Sequence, residues 1–346
     1  MNITKPIVYK SRDEAPKDVE FLDTMSSSLK ELFFIRNPQF KKTIQEAKEP
    51  LQEFLEENKN IETVFVFYPW LNKFIHTVSE EIYFELRTAR NKNIINKKEQ
   101  ENYRNARIGI VGLSIGSNVI LILTFTGGPK FMRIADFDDI EISNLNRLRA
   151  GLPQVGENKT FAAAKQVWEI DPFAELELWD KGVSKEDLKE FIIGGKNGGE
   201  KLDIFIDEMD SLELKILSRF ICREYKIPVL MATDNGDNII LDVERYDIES
   251  SLPILHGLIG DTKPDDFKTM NYEEWLKLAT KIVGYDNLTN RMKECLKEIG
   301  KTLSGVPQLG STASVGASAI SLSIRKIANK ENLPSGRYFI NLDSAF

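Results

Sequence analysis

The stretch IGIVGLSIGSNV, Ile108–Val119, decides how the rest of the chain is interpreted. It starts as an apolar run of strand length, passes through a glycine turn and continues into residues typical of a helix. In such a unit the free amides of the helix attract phosphate, and glycine lets the backbone turn tightly. The glycines at 109, 112 and 116 depart from G-x-G-x-x-G spacing. Alone, the stretch therefore favours a nucleotide site and a plain turn about equally.

Apolar runs and helical stretches alternate after this point. Strands are predicted within residues 106–112, 130–138, 174–182, 201–210 and 227–234, and helices within 117–128, 158–172 and 211–226. Strand–helix alternation predicts an α/β fold with a Rossmann-like, doubly wound, mostly parallel sheet and helices on both faces. Ligands bind beyond the carboxyl ends of such strands. That edge is predicted to carry residues 112–117, 136–138, 207–210 and 233–234.

The first part of the chain has a different pattern. Residues 1–85 are predicted to form a mainly helical α+β extension, with a short strand in TVFVFY (63–68) followed by a helix. Residues 86–346 form the main domain, with an insertion at 250–305. The extension is interpreted as a substrate clamp or a dimerisation element. The segment from Pro307 is rich in Gly, Ala and Ser, which suits a helix packed closely on other backbone.

Composition excludes several classes of protein. Of the 346 residues, 42% are hydrophobic and 29% charged, as in globular proteins, and the net charge of −7 argues against nucleic acid or an anionic membrane as partner. No apolar run approaches membrane-spanning length, and the N-terminal residues lack an apolar signal segment, so a cytoplasmic location is expected. The two cysteines, Cys222 and Cys295, form no C-x-x-C pair, and no zinc is expected. Both are interpreted as structural, as is His256.

Asp136 strengthens the nucleotide interpretation. It closes the second predicted strand, 24 residues after Gly112, where an acidic side chain accepts hydrogen bonds from ribose hydroxyls. The chain continues DFDDIEISNLNRLRAGLPQVGENK (136–159), a string that a dehydrogenase does not require.

This string identifies a family resemblance. ADFDDIEISNLNR (135–147), VGENK (155–159) and IDEMDS (206–211) resemble the ThiF/MoeB/HesA superfamily, relatives of the adenylating domain of ubiquitin-activating enzymes. The resemblance covers about Arg87 to Ala328. GLSIGSNV and SNLNRLRAG are also similar to bacterial ThiF-like proteins fused to nitroreductase-like domains. The resemblance implies ATP- and Mg²⁺-dependent adenylation of a carboxylate, with release of pyrophosphate. The acceptor would be the C-terminus of a small ubiquitin-like protein or of a precursor peptide.

The resemblance also implies roles for individual residues. Asp136 would hold the ribose and Asp210 the magnesium ion. In LRTARNKN (86–93), Arg90 would reach the ATP of the other protomer, which implies a homodimer with two composite sites. The implied catalytic residues are Arg90, Arg147, Lys159 and Asp210. The implied ATP-binding residues are Gly112, Ser114, Gly116, Ser117, Asp136, Asp138, Asn144, Arg147 and Lys159.

The phosphate loop departs from the G-x-G-G-x-G pattern of the family. Ser114, Ile115 and Ser117 stand at glycine positions, and Leu148 replaces a common glutamine. The serine hydroxyls either bind the phosphates in place of backbone or mark a weakened site. A nucleotide-binding scaffold of the same fold is therefore the alternative function, and an NAD- or flavin-linked oxidoreductase is a more distant one.

Overall fold

The computed structural model describes residues 5–41, 43, 45–196 and 198–345. The chain packs as two units. The first extends to Lys97 and takes in 168–173, and the second comprises 98–167 and the residues from 174 onward. Tyr68 illustrates why 168–173 belong to the first unit, because its hydroxyl donates to the carbonyl of Trp168 at 3.0 Å. The first unit therefore continues past residue 85, where the sequence analysis divided the chain.

The first unit is an α+β structure. Its sheet has the order β1-β3-β4-β2, in which β2 pairs with β4 in parallel and the other pairs are antiparallel. The strands are β1 (Ile7–Tyr9), β2 (Glu20–Asp23), β3 (Thr63–Tyr68) and β4 (Lys73–Val78). The helices are α1 (Met25–Arg36), α2 (Lys48–Glu57) and α3 (Glu80–Thr88).

The helix predicted after Tyr68 is wrong, because this segment forms strand β4. Asn72 adopts a left-handed φ of +52°, which asparagine tolerates better than most residues. Together with Pro69 it closes a hairpin, so that Lys73 pairs with Tyr68 and the register continues to Val78 opposite Thr63. Burial of aromatic side chains between paired strands outweighs local helical spacing here.

The second unit contains a seven-stranded sheet of order β11-β10-β9-β8-β5-β6-β7. Strands β5 to β9 are parallel, and β10 and β11 are antiparallel to their neighbours. The strands are β5 (Arg107–Val111), β6 (Phe131–Ala135), β7 (Glu175–Trp179), β8 (Ile204–Asp207), β9 (Val229–Asn235), β10 (Asn238–Glu244) and β11 (Gly336–Ile340). The predicted α/β class with a Rossmann-like, mostly parallel sheet is confirmed. The strand order reverses at β5, which is where such sheets bind ligands.

Helices cover both faces of this sheet. They are α4 (Lys97–Asn105), α5 (Ile115–Phe125), α6 (Lys159–Ile170), α7 (Leu188–Ile193), α8 (Leu212–Glu224), α9 (Tyr272–Val283), α10 (Asn290–Glu298) and α11 (Gly310–Ala328). Met231 of β9 packs in the cluster with Ile216 of α8, whereas Ala232 faces Gly316 of α11. Within the described residues, every helix falls short of the length and apolarity needed to cross a membrane.

Candidate functional site

The loop after β5 turns at a position that requires glycine. Gly112 has a φ of +92°, and a Cβ atom there would lie 2.1 Å from the carbonyl oxygen of Glu208. A Cβ on Gly116 would lie 3.0 Å from a side-chain carbon of Ile110. Gly112 therefore turns the chain against β8, and Gly116 lets α5 pack closely on β5.

The three residues at the family's glycine positions differ in their surroundings. Ile115 is buried, with 5% of its surface exposed. Ser117 is also buried, and its hydroxyl donates to the carbonyl of Ser114 at 3.0 Å. Ser114 is half-buried, and its hydroxyl accepts a hydrogen bond from Arg147. Ser114 thus contacts the side chain of a predicted catalytic residue, whereas the Ser117 hydroxyl is bonded within its own loop.

Asp136 is bound to the phosphate loop. One carboxylate oxygen accepts from the amide of Leu113 at 2.7 Å, and the other accepts from the amide of Asp138 at 2.8 Å. The side chain is buried, and burial raises the pKa of Asp136, while the charge of Lys159 acts to lower it. Asp136, the residue predicted to bind the ribose, thus links the loop after β5 to the end of β6.

Lys159 lies at the start of α6, close to both acidic side chains of the string. Its ammonium is 2.7 Å from Asp138 and 3.8 Å from Asp136, and its side chain is only 10% exposed. A cation therefore already stands beside Asp136 in a largely desolvated position, where charges interact more strongly than in water.

Arg147 is held on the same edge by several acceptors. Its Nε donates to the Ser114 hydroxyl at 2.9 Å, and its Nη1 donates to the Asn146 side chain at 2.9 Å and to the Ser143 carbonyl at 3.3 Å. Asn144 is buried and closes this turn, accepting through its side-chain oxygen from the amide of Glu141 at 3.1 Å. Asn144 thus shapes the turn that presents Arg147.

Two further residues border Arg147. The Ser114 hydroxyl donates to the side-chain oxygen of Gln308 at 3.2 Å. Asp234, at the carboxyl end of β9, is 7% exposed, and neither of its oxygens receives a hydrogen bond from the described residues. Burial raises the pKa of Asp234 to about 6, while the charge of Arg147 and the Gln308 side chain act to lower it. Asp234 was predicted on this edge from the sequence, whereas no sequence signal pointed to Gln308.

Two predicted catalytic residues remain, Asp210 and Arg90. Asp210 follows β8, is exposed and has no hydrogen bond or ion pair with the described residues. The described part of the chain contains no group of three His, Cys, Asp or Glu side chains able to hold a metal. Magnesium commonly binds one or two carboxylates together with substrate phosphates and water, so a single accessible Asp210 fits that ion. Arg90 is exposed and belongs to the first unit, and its role stays a prediction.

Comparison with known proteins gives the family. A family model described as ThiF family matches residues 87–341, most of the chain. The chain belongs to the ThiF family. It is 35% identical over 297 residues to the uncharacterized protein MT1398 of Mycobacterium tuberculosis (strain CDC 1551 / Oshkosh), covering 86% of this chain and 40% of that protein.

Two further comparisons are with an activating enzyme and with a solved structure. The chain is 32% identical over 148 residues to ubiquitin-like modifier-activating enzyme 5 of Dictyostelium discoideum, covering 41% of this chain and 38% of that enzyme. It therefore spans less than half the length of these two relatives. The crystal structure of Escherichia coli MccB with ATP superposes with a TM-score of 0.51 at 19% identity, over 85% of this chain and 75% of MccB. That likeness shows the shared fold.

This ThiF-family chain also has a buried charge network that the sequence analysis missed. Arg219 is fully buried and donates to Glu244 at 2.6 Å and to Asp207. Lys215 donates to Asp207 at 3.0 Å, and Asp207 also accepts from the amide of Met209 at 3.0 Å. Burial acts to raise the pKa of Asp207, but Lys215 and Arg219 bring it below its usual value. The sequence signal that could have predicted this network is Arg219, an arginine on the apolar face of the amphipathic helix α8.

Cys222 and His256 both lie inside the fold, whereas Cys295 is half-buried and its interpretation stays a prediction. Cys222 is fully buried, and burial raises the pKa of its thiol well above the usual value, which removes the reactive thiolate. The imidazole of His256 lies 3.1 Å from a carboxylate oxygen of Asp242, so it stands in a side-chain pair inside the fold.

Proposed function

We propose that this chain catalyses ATP- and Mg²⁺-dependent adenylation of a carboxylate, with release of pyrophosphate. The observation that carries the proposal is the convergence of Gly112, Asp136, Arg147 and Lys159 where the strand order reverses. Membership of the ThiF family supports it, as do the activating-enzyme relative and the ATP-bound MccB structure.

The chemistry requires charge neutralisation more than proton transfer. An ionised carboxylate oxygen forms a bond to the α-phosphorus, and the bond from that phosphorus to the bridging oxygen breaks, so pyrophosphate leaves with the electron pair. Arg147 and Lys159 are the cations available to stabilise the developing negative charge. Because the nucleophile is already ionised, the site needs no general base for this step.

Asp210 would hold the magnesium ion. Its carboxylate is accessible and has no partner among the described residues, so a phosphate-bound cation can reach it without breaking an existing contact. When bound, the ion would neutralise phosphate charge and favour departure of pyrophosphate. Removing Mg²⁺ with EDTA is therefore expected to abolish activity.

The acceptor proposed is the C-terminus of a small ubiquitin-like protein or of a precursor peptide. The Dictyostelium relative, a ubiquitin-like modifier-activating enzyme, supports the first class. Residues 1–85 are proposed as the element that clamps the acceptor or joins two protomers. Arg90 would then complete the ATP site of a second protomer, in a homodimer.

Pyrophosphate exchange into ATP tests the proposal. Candidate acceptor peptides and small proteins are supplied with Mg²⁺, and an acceptor-dependent exchange is expected. Arg147→Ala and Asp210→Ala are expected to abolish exchange, and Ser323→Ala, which removes a hydroxyl bonded within α11, serves as control. Full exchange in both site variants would contradict the site assignment.

A nucleotide-binding scaffold remains the second candidate, because Arg147 and Lys159 are both engaged by side chains of the protein itself. A scaffold would bind ATP without exchange. Thermal unfolding with ATP and with NAD separates either case from an oxidoreductase, since a ligand that binds the folded state raises the unfolding temperature.

A further inference from the structure

We propose that Ser114 is a positioning residue that orients Arg147 toward the phosphates of ATP. This inference rests on the function proposed above. It concerns a residue that departs from the glycine pattern of the family, and it assigns that departure to phosphate binding through an arginine.

The Ser114 hydroxyl does not cap its own helix. Ser114 occupies the N-cap position of α5, but its side chain makes no capping hydrogen bond. A serine in this position ordinarily accepts from an amide of the first helical turn. Here the hydroxyl instead accepts from Nε of Arg147 at 2.9 Å and donates to Gln308 at 3.2 Å.

The guanidinium of Arg147 is held in one direction by its hydrogen bonds. Arg147 uses Nε and Nη1 in contacts with Ser114, Asn146 and Ser143, whereas Nη2 donates to no acceptor among the described residues. Because the guanidinium is a rigid plane, holding Nε and Nη1 also fixes the direction of Nη2. Its two hydrogens are available to an anion, and arginine geometry suits phosphate oxygens.

Gln308, which accepts from the Ser114 hydroxyl, is itself held in place. The carbonyl of Gln308 accepts from the side chain of Asn146 at 2.8 Å. Gly310 packs so closely there that a Cβ atom would lie 2.4 Å from the carbonyl oxygen of Asn146. Since Gln308 accepts the hydroxyl hydrogen, the lone pairs of Ser114 remain directed to Arg147.

Asp234 completes the surroundings of Arg147. Its carboxylate is buried and receives no hydrogen bond from the described residues, and its charge interacts with that of Arg147. The charge of Asp234 attracts the guanidinium, and the Ser114 hydroxyl accepts from its Nε. The serine at position 114, where the family has glycine, therefore orients the Arg147 guanidinium.

The test is a double-mutant cycle on the full chain, read as the Kd for Mg·ATP by calorimetry. Ser114→Ala and Ser114→Gly are each expected to weaken binding about tenfold, the size of one hydrogen bond to a charged group. Ser114→Ala is expected to have no further effect in an Arg147→Ala background. Ser114→Thr keeps the hydroxyl and is expected to bind nearly as the unchanged chain does.

Thermal unfolding without ATP separates this role from a structural one. Ser114→Ala is expected to lose no more thermal stability than Ser323→Ala, the matched hydroxyl control, because the Ser114 hydroxyl makes no capping bond. Equal or tighter ATP binding by Ser114→Ala overturns the proposal. So does a Ser114→Ala effect that persists without Arg147, or a Ser114→Thr loss equal to that of Ser114→Ala. If the unchanged chain itself binds no ATP, the proposed function fails first.

Discussion

At Gly112 a single backbone conformation determines how closely the phosphate loop approaches β8. Gly112→Ala combines a left-handed φ with a Cβ atom 2.1 Å from the carbonyl oxygen of Glu208. We expect a loss of roughly 2–3 kcal/mol in the free energy of unfolding, measured in urea. Weaker ATP binding is expected with it, because the loop must move to relieve the contact.

Gly156 supplies a control for the backbone part of this effect. Its φ of +85° is similar, but a Cβ atom there would have no neighbour within 4 Å. Gly156→Ala should therefore cost only the conformational strain, about 1 kcal/mol. Equal losses at the two positions would show that the contact with Glu208 carries no energy.

Asp234 predicts a pH dependence of stability. Its pKa is raised from 3.8 to about 6 by burial, so the folded chain holds a proton that the unfolded chain releases between these values. Stability then falls as pH rises through this window, and the cost is complete above it. We expect Asp234→Asn to gain roughly 2 kcal/mol of unfolding free energy relative to the unchanged chain between about pH 4 and pH 7.5.

The pKa of Asp207 predicts the opposite pH dependence of stability to that of Asp234. Lys215 and Arg219 hold its pKa below 3.8 despite burial, so its carboxylate stabilises the fold above that value and loses this contribution as pH falls. Asp207→Asn should therefore destabilise the chain at neutral pH, and less so in acid. Urea unfolding across pH measures both variants, and slopes of the same sign would contradict the assignment.

At the scale of secondary-structure elements, the alternation of strands and helices could be predicted from the sequence, whereas the pairing of β3 with β4 could not. The alternation from residue 106 onward predicted β5 to β9 and helices α5, α6 and α8, because most of these strands are apolar runs. Helix α7, between β7 and β8, was not predicted. Strand β4 was predicted as helix, because hairpin closure at Asn72 depends on pairing with β3. Hydrophobic periodicity indicates which face of a helix or strand is buried, but it does not indicate which other element packs against that face.

Helix α11 offers a test of packing at this scale. Ala317 is fully buried in a helix whose Gly316 would bring a Cβ atom 3.2 Å from Ala232 of β9. Ala317→Leu should overpack this face and cost about 1–3 kcal/mol in urea unfolding. Ser318→Leu, next to it on the exposed side, should change stability by less than about 0.5 kcal/mol. Similar effects at both positions would refute the close packing.

At the scale of the whole molecule, the site joins segments that are distant in sequence. The family string located Asp136, Arg147 and Lys159, because their spacing lies within one stretch of chain. Gln308 was not predicted as a site residue, because it lies 162 residues along the sequence from Asn146, which it contacts. Contacts of this kind depend on tertiary packing, which neither periodicity nor spacing encodes.

The resemblance to the family predicts a dimer in which each ATP site is completed by Arg90 of the other protomer. Mixing two inactive variants tests this prediction. If Arg90 reaches the ATP of a second protomer, co-expressed Arg90→Ala and Arg147→Ala chains form mixed dimers with one intact site. Random assortment makes half of the dimers mixed, so about a quarter of the unmixed wild-type exchange activity should return. Arg147→Ala mixed with Lys159→Ala is the control, because both residues lie in the second unit and no protomer is then intact. Recovery confined to the first mixture requires Arg90 to act across the dimer, whereas no recovery in either places Arg90 outside the partner's site.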